Sequence, residues 1–264
     1  MVNAIVVPLE ESYQRDIVKV FKTLSKLLEE GIAVYISYEP FAAMIRGRTF
    51  NYVRGFGINT LIIKLNGEHE SDIVDILLEN DVRFNYVVEP CWVKGGLIGA
   101  FNVTLKTEVP NLYDMISAID LDILTDVNVC GESSRIFLVG GLSKGSIPTS
   151  LEHCFREERV VASHVETVKP WYPPVNGVMD LALNRGVSKE FSYMFMSSPT
   201  TITLAEFADK STRIGVGAIL LDEKYGIIQI PPNIAWDMSN SNVIRVIAQS
   251  ILYLSSGKEN IRII

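Results

Sequence analysis

The chain has 264 residues, a formal net charge of −7 at pH 7 and 48% hydrophobic residues. This length can bury a large core in one α/β domain or two smaller ones, and the composition predicts no long disordered tail. The acidic balance disfavours nucleic-acid binding, which depends on clustered Lys and Arg. No stretch approaches the ~18 apolar residues of a membrane span, so we expect no membrane partner.

The N-terminus lacks the basic leader and long apolar run of a signal peptide. The three cysteines Cys91, Cys130 and Cys154 have no CxxC spacing, which favours a reducing compartment over a disulfide framework. We therefore expect a cytoplasmic protein without cofactors.

Hydrophobic periodicity predicts strands and helices in alternation along the first half. In chain order they are a strand at 4–8, a helix from an N-cap at Ser12 to Gly31, a strand at 32–38, a long loop or irregular hairpin at 41–56, a strand at 61–65, a helix from Ser71 or Asp72, a strand at 82–88, a glycine-rich turn at 94–99, a strand at 100–106 and a helix at 112–119.

In the second half, the run from Arg135 predicts a strand, a glycine turn and then a capped helix near Pro148. The elements predicted after it are a strand at 160–168, a proline-aromatic loop at 169–177, a short helix at 178–183, strands at 191–197, 200–204, 214–221 and 225–230, and a closing helix at 242–254.

The pattern of residues 27–65 recurs fifty positions later. Leu27, Leu28, Glu29, Glu39 and Pro40 are matched by the same residue types at 77, 78, 79, 89 and 90. Each copy predicts a helix end, a tight turn, a strand and an acidic-proline stop. We therefore predict an α/β protein of two packed lobes, 1–128 and 129–264, with mixed or mostly parallel sheets.

The most distinctive polar cluster is Arg46, Arg48 and Arg54, interspersed with the aromatic residues Phe41, Phe50, Tyr52 and Phe56. Guanidinium groups suit carboxylates and phosphates, and flanking aromatic rings suit stacking. The alternative, arginines paired with nearby acids and aromatics filling the core, is equally compatible with the sequence.

A second candidate anion site is the glycine turn at 140–146, where strand meets helix and backbone amides could hold an anion. Gly141, Ser143, Lys144 and Ser146 would contribute to it. The turn matches neither the P-loop nor the G-x-G-x-x-G pattern, and a plain strand-to-helix turn is the simpler interpretation.

Other catalytic patterns are absent or weak. The three histidines do not have metal-ligand spacing, and adjacent His153 and Cys154 would diverge by about 100° on a helix. Cys91 fits buried filler better than an activated thiol. Asp222-x-Lys224 weakly resembles a nuclease motif, but at a hairpin tip it is typical of a solvated turn.

The stretches LLEEGI, VYISYEPF, RGRTF and GINTLIIKL resemble a module found after the catalytic domain in zinc metallocarboxypeptidase-family proteins. There it adjoins a class I glutamine amidotransferase-like lobe, which the second half resembles in outline, from RIFLVGG to the terminal helix. The peptidase zinc motif and the amidotransferase Cys-His-Glu set are absent. The resemblance implies a flavodoxin- or amidotransferase-like C-terminal lobe and a catalytically silent domain.

We therefore expect a non-catalytic protein of amidotransferase-like type that binds a small molecule, such as an anionic ligand, or another protein, and that forms a homo-oligomer. The alternative is a hydrolase or transferase that acts on an anionic small molecule in a cleft between the lobes, at the carboxyl ends of strands. Neither alternative involves a bound metal.

Overall fold

The computed structural model describes residues 2–10, 12–65, 69–107, 109, 112–126, 135–139, 149–183, 186–210, 212–231 and 240–263. The first elements along the chain are β1 (Ala4–Val7), α1 (Ile17–Glu29), β2 (Val34–Ser37), β3 (Phe41–Ile45), β4 (Tyr52–Phe56), β5 (Leu61–Lys64), α2 (Glu70–Glu79), β6 (Asn85–Val87), β7 (Cys91–Leu97), β8 (Val103–Thr107), α3 (Leu112–Ala118) and β9 (Thr125–Asp126).

The later elements are β10 (Arg135–Val139), β11 (Phe155–Ala162), β12 (His164–Thr167), β13 (Asp180–Ala182), β14 (Lys189–Met196), β15 (Thr201–Asp209), β16 (Thr212–Asp222), β17 (Ile227–Ile230), α4 (Ser241–Ser255) and β18 (Glu259–Ile263). Short 3₁₀ turns occupy Asp122–Leu124, Thr149–Cys154 and Pro173–Val175. The protein is mixed α/β, and none of the described helices is both long and apolar enough to cross a bilayer.

The chain divides into two compact units. The first contains residues 1–100, 118–123 and 255–264, and the second contains residues 101–117 and 124–254. The chain passes between the units more than once, so both contain residues from the N-terminal side of the predicted boundary at residue 128.

The first unit contains an eight-stranded sheet in the order β18-β7-β2-β5-β1-β6-β3-β4. Every pairing described in it is antiparallel. The prediction of a mixed or mostly parallel sheet is therefore wrong for this sheet. The helix α1 does connect two parallel strands, β1 and β2, but β5 inserts between them and runs antiparallel to both.

The predicted repeat of helix and strand is confirmed. The series β1-α1-β2-β3 and β5-α2-β6-β7 occupy equivalent places on either side of the β1–β5 pair. The two helix ends also match: Gly31 and Asp81 both have positive φ, at 74° and 56°. In each copy, the next residue donates its N–H to the carbonyl five positions earlier, from Ile32 to Leu27 and from Val82 to Leu77.

Two predicted boundaries in this unit are wrong. The N-cap of α1 is Asp16 and not Ser12. The Asp16 carboxylate accepts a hydrogen bond from the N–H of Val18 at 2.9 Å. The predicted glycine turn at 94–99 lies largely within β7. Gly95 and Gly96 are needed there because neighbouring backbone approaches closely: an added Cβ would meet the Ile36 carbonyl oxygen at 2.1 Å or the Gly257 carbonyl oxygen at 1.5 Å.

The second unit contains a mixed sheet in the order β13-β12-β15-β16-β17-β10-β8-β9. Strands β17, β10, β8 and β9 pair in parallel, whereas the other neighbours are antiparallel. The predicted helix at 178–183 contains the strand β13. In β13 buried Leu181 lies between exposed Asp180 and Ala182. This alternation is typical of a strand with one face exposed to solvent.

Strands β11 and β14 form a separate two-stranded ribbon. The rings of Phe191 and Phe195 on β14 pack against Phe207 of β15, with ring centroids 6.4 Å and 5.8 Å apart. The closing helix α4 is confirmed, but its burial from Arg245 to Leu252 extends beyond the apolar face that the sequence predicts.

Candidate functional site

The structure separates the predicted arginines of the first unit. Arg54 pairs with Ala43 across β3 and β4, so both side chains project from one face of the sheet. Arg46, three positions beyond Ala43, projects from the other face, where its Cζ lies 5.7 Å from the centroid of Tyr86. Arg48 is exposed in the hairpin loop. The three guanidinium groups therefore do not converge.

Arg54 instead belongs to a cluster with Tyr13, Phe56 and Asn85, here called the Arg54 cluster. Its Cζ lies 4.6 Å from the Tyr13 ring centroid and 5.4 Å from that of Phe56. Its Nη1 donates to the side-chain oxygen of Asn85 at 3.3 Å, and Asn85 donates to the Tyr13 hydroxyl at 2.9 Å. These contacts hold the Tyr13 ring in one position.

Gln14 fixes the turn that carries Tyr13. Its side-chain amide is buried and donates to the carbonyls of Pro8 at 2.9 Å and Arg83 at 2.8 Å, and its Oε1 accepts the N–H of Arg83 at 3.1 Å. The Tyr13 hydroxyl also donates to the Phe84 carbonyl at 3.2 Å. The turn before α1 and the segment before β6 are thus joined by a satisfied polar network.

Beside this junction lies a surface cavity of about 340 Å³, here called the Tyr13 cavity. Its lining residues are Tyr13, Leu78, Asp81, Val82, Arg83 and Phe84. Leu78 is an apolar side chain that is 61% exposed. Exposed Arg83 donates through Nη1 to the Tyr13 carbonyl at 3.1 Å, and the Asp81 carboxylate lies 3.4 Å from Arg15. The cavity therefore combines apolar contact area with one guanidinium group, that of Arg83, and one carboxylate, that of Asp81.

The anion site predicted at 140–146 lies outside the described residues, so Gly141, Ser143, Lys144 and Ser146 stay a prediction. The same holds for the ligand-binding roles predicted for the arginines. Within the described part of the chain, His, Cys, Asp and Glu side chains form no group of three or more that could hold a metal ion.

The second unit contains a row of contacting polar side chains that the sequence patterns do not predict. The hydroxyl of Ser163 lies 3.0 Å from Nδ1 of His164, and Nε2 of His164 lies 3.2 Å from Oε1 of Glu166. Arg213 Nε donates to the other carboxylate oxygen of Glu166 at 2.8 Å. Hydrogen bonds from Arg213 and then His164 lower the pKa of Glu166. His164 and Glu166 are two positions apart on a strand, so their side chains lie on one face. This His-x-Glu spacing is the sequence signal for their contact.

Asp222 is fully buried, which corrects the prediction of a solvated turn tip. Its carboxylate accepts hydrogen bonds from Ser198 and Thr200, and from the N–H groups of Lys224 at 3.0 Å and Tyr225 at 3.1 Å. Burial alone would raise the pKa of Asp222, but these hydrogen bonds outweigh it and the pKa is lowered. Asp222 therefore organises the β16–β17 turn and has no nuclease geometry.

Cys91 and Cys154 have different surroundings in the structure. Cys91 is half-buried rather than fully buried, and it packs against the apolar core of the first unit. Burial raises the pKa of its thiol, which is the opposite of activation. The sulfur of Cys154 lies 3.3 Å from Nε2 of His153, so the expected divergence of these neighbours is wrong. They end a 3₁₀ turn, where the α-helical angle between neighbours does not apply.

No protein-family model matches the chain, and comparison with curated proteins finds no relative.

Proposed function

We propose that this chain is a non-catalytic binding protein and that the Tyr13 cavity takes a small amphipathic anion. The observation that carries this proposal is the combination of Leu78, Val82 and Phe84 with Arg83 around one cavity. A ligand with an aromatic or aliphatic body and one carboxylate or phosphate would cover the exposed apolar surface and pair with a guanidinium group.

Two further features support binding at this place. The backbone on both sides of the cavity is held by Gln14 and the Arg54 cluster, so little conformational entropy would be lost when a ligand enters. The lining holds one guanidinium group, that of Arg83, and one carboxylate, that of Asp81. The Asp81 carboxylate already lies 3.4 Å from Arg15, so Arg83 is the charge in the lining that an anion can meet.

The proposed protein is of the amidotransferase-like, catalytically silent type that the resemblance of LLEEGI, VYISYEPF, RGRTF and GINTLIIKL implies. The parallel group β17, β10, β8 and β9 supports an open α/β element in the second unit. The antiparallel strands that extend this sheet differ from a purely flavodoxin-like arrangement.

A titration with phenyl phosphate tests the proposal. We expect saturable shifts in the backbone amide NMR signals of residues 13, 78 and 81–84, with weaker binding of inorganic phosphate and of benzyl alcohol, which each lack one half of the ligand. Arg83→Gln should weaken binding about ten- to hundredfold, because a hydrogen bond to a charged group is lost. Affinity is measured from the shifts.

Arg159→Gln is the matched control, because Arg159 is also an exposed arginine but pairs with Glu190 at 2.7 Å on the ribbon of the second unit. It should leave the affinity unchanged. Equal effects of the two substitutions, or shifts that spread over both units without saturation, would contradict a site at the Tyr13 cavity.

A second candidate function is that of a hydrolase. It rests on the row of side-chain contacts that links Ser163, His164, Glu166 and Arg213. If the Ser163 hydroxyl donates to Nδ1 and Nε2–H donates to Glu166, the imidazole is oriented as a general base for a serine nucleophile. The 6% exposure of Ser163 counts against this function, because a substrate carbonyl must reach Oγ. We therefore rank it second.

Acetylation by p-nitrophenyl acetate separates this candidate from the first. A hydrolase should become acetylated at Ser163 in proportion to a burst of p-nitrophenol, and Ser163→Ala should lower the rate by about 10²- to 10⁴-fold. Ser188→Ala removes a different hydroxyl, one that donates to Asp209, and should have no effect. An unmodified Ser163, detected by mass spectrometry, would exclude the serine mechanism.

A further inference from the structure

Strand β4 is an edge strand that carries large exposed apolar side chains. In the described part of the chain it pairs only with β3. Phe50, just before it, is 72% exposed, and Tyr52 and Val53 within it are 44% and 64% exposed. Edge strands in soluble proteins are usually protected by charges, Pro or bulges, because their free backbone groups pair with other strands. No Pro occurs between Phe50 and Phe56, and the one charged side chain there, Arg54, is held in the Arg54 cluster.

The two ends of β4 carry opposite charges. Arg46 and Arg48 are exposed in the loop before the strand. Glu10 lies against Gly57, directly after the strand: a Cβ on Gly57 would lie 2.7 Å from its carboxylate oxygen Oε1. Two antiparallel copies of such a strand bring each basic end to the acidic end of the other copy. The edge is therefore electrostatically complementary to itself.

We infer that the protein forms a two-fold symmetric dimer in which β4 pairs antiparallel with β4 of a second copy, centred on Val53. In this register Val53 lies opposite Val53 of the partner subunit, so the two exposed side chains pack against each other. Arg48 lies near Glu10 of the partner subunit, and the contact occurs twice. The eight-stranded sheet of the first unit and the same sheet of the second copy join into one continuous sheet across the interface.

Sedimentation equilibrium over a micromolar concentration series measures the association. The wild-type chain is expected to pass from monomer to dimer without larger species. Val53→Lys should weaken the dimer at least about tenfold, and Val161→Lys, a matched change of an exposed valine on the two-stranded ribbon, should leave it unchanged. Circular dichroism checks that both variants are folded.

A charge exchange tests the orientation of the strands. Arg48→Glu and Glu10→Lys should each weaken the dimer, and the double variant should recover most of the loss because the two charges are only reversed. A parallel arrangement, or an interface elsewhere, gives no such recovery.

A cysteine at the centre tests the register. Val53→Cys should form an intermolecular disulfide under mild oxidation, because Cα atoms of directly opposite residues lie at distances compatible with a disulfide. Val161→Cys, in the same background of native cysteines, gives the rate of unspecific crosslinking. Equal crosslinking of the two variants, a chain that stays monomeric throughout the series, or an open-ended ladder of oligomers from pairing of β4 with β18 would each overturn the proposal.

Discussion

Gly96→Ala is expected to destabilise the first unit by about 3 kcal/mol, the upper end of the usual cost of overpacking a buried position. The added methyl group would stand 1.5 Å from the carbonyl oxygen of Gly257 and 2.8 Å from the hydroxyl of Tyr38. Neither the strand β7 nor the segment before β18 can yield easily, because the Gly257 N–H donates to the Leu97 carbonyl at 3.3 Å. Urea unfolding measures the loss.

Gly55→Ala is the matched control, since Gly55 also lies in a strand but an added Cβ would have no atom within 4 Å. Its unfolding free energy should change by less than about 1 kcal/mol. Hydrogen exchange adds a local readout: in Gly96→Ala the amides of β18 should lose protection before those of β1. If both alanine variants unfold at the same urea concentration, the close approach at Gly96 is not rigid.

Asp222→Asn is expected to cost about 2–4 kcal/mol at pH 7, because the substitution removes a buried carboxylate that accepts four hydrogen bonds. The folded pKa is lowered, so the unfolded state takes up the proton first as the pH falls. The stabilising effect is therefore complete above the unfolded pKa of about 4 and disappears as the pH falls through the folded value.

The difference in unfolding free energy between wild type and Asp222→Asn should consequently shrink in acid. Urea unfolding at pH 7 and at successively lower pH measures this difference. Asp180→Asn, a change of an exposed carboxylate on β13, should stay within about 0.5 kcal/mol of wild type. A pH-independent difference for Asp222→Asn would mean that the carboxylate charge does not stabilise the turn.

The sequence predicts elements better than their pairing. The apolar spacing from Ile17 to Leu27 and the left-handed position of Gly31 are local features, so α1 and its end could be predicted. The insertion of β5 between β1 and β2 could not, because alternating helices and strands are compatible with both parallel neighbours and split pairs. At β13 the structure has a strand where the sequence predicts a short helix, because residues 178–183 are too few for periodicity to distinguish a helix from a strand.

Glycine is the second source of error, since it marks either a turn or a place where other backbone comes close. At Gly95 and Gly96 the neighbouring backbone comes from residues far along the chain, so local sequence favours the wrong alternative. The same distance hides the candidate site. Tyr13 and Arg83 are far apart in sequence and meet only through tertiary structure. Arg46 and Arg54 are close in sequence, which predicts a shared site, but their guanidinium groups lie on opposite faces of the sheet.

The position of β18 has a consequence for synthesis on the ribosome. The strand β7 is made early, but its partner at that edge is residues 259–263. Chains fold from the N-terminal side as they emerge, so the glycine-lined edge of β7 remains open while the whole second unit is translated. Emergence of residues 259–263 then completes the sheet of the first unit, so an edge that is made early depends on a strand that is made late.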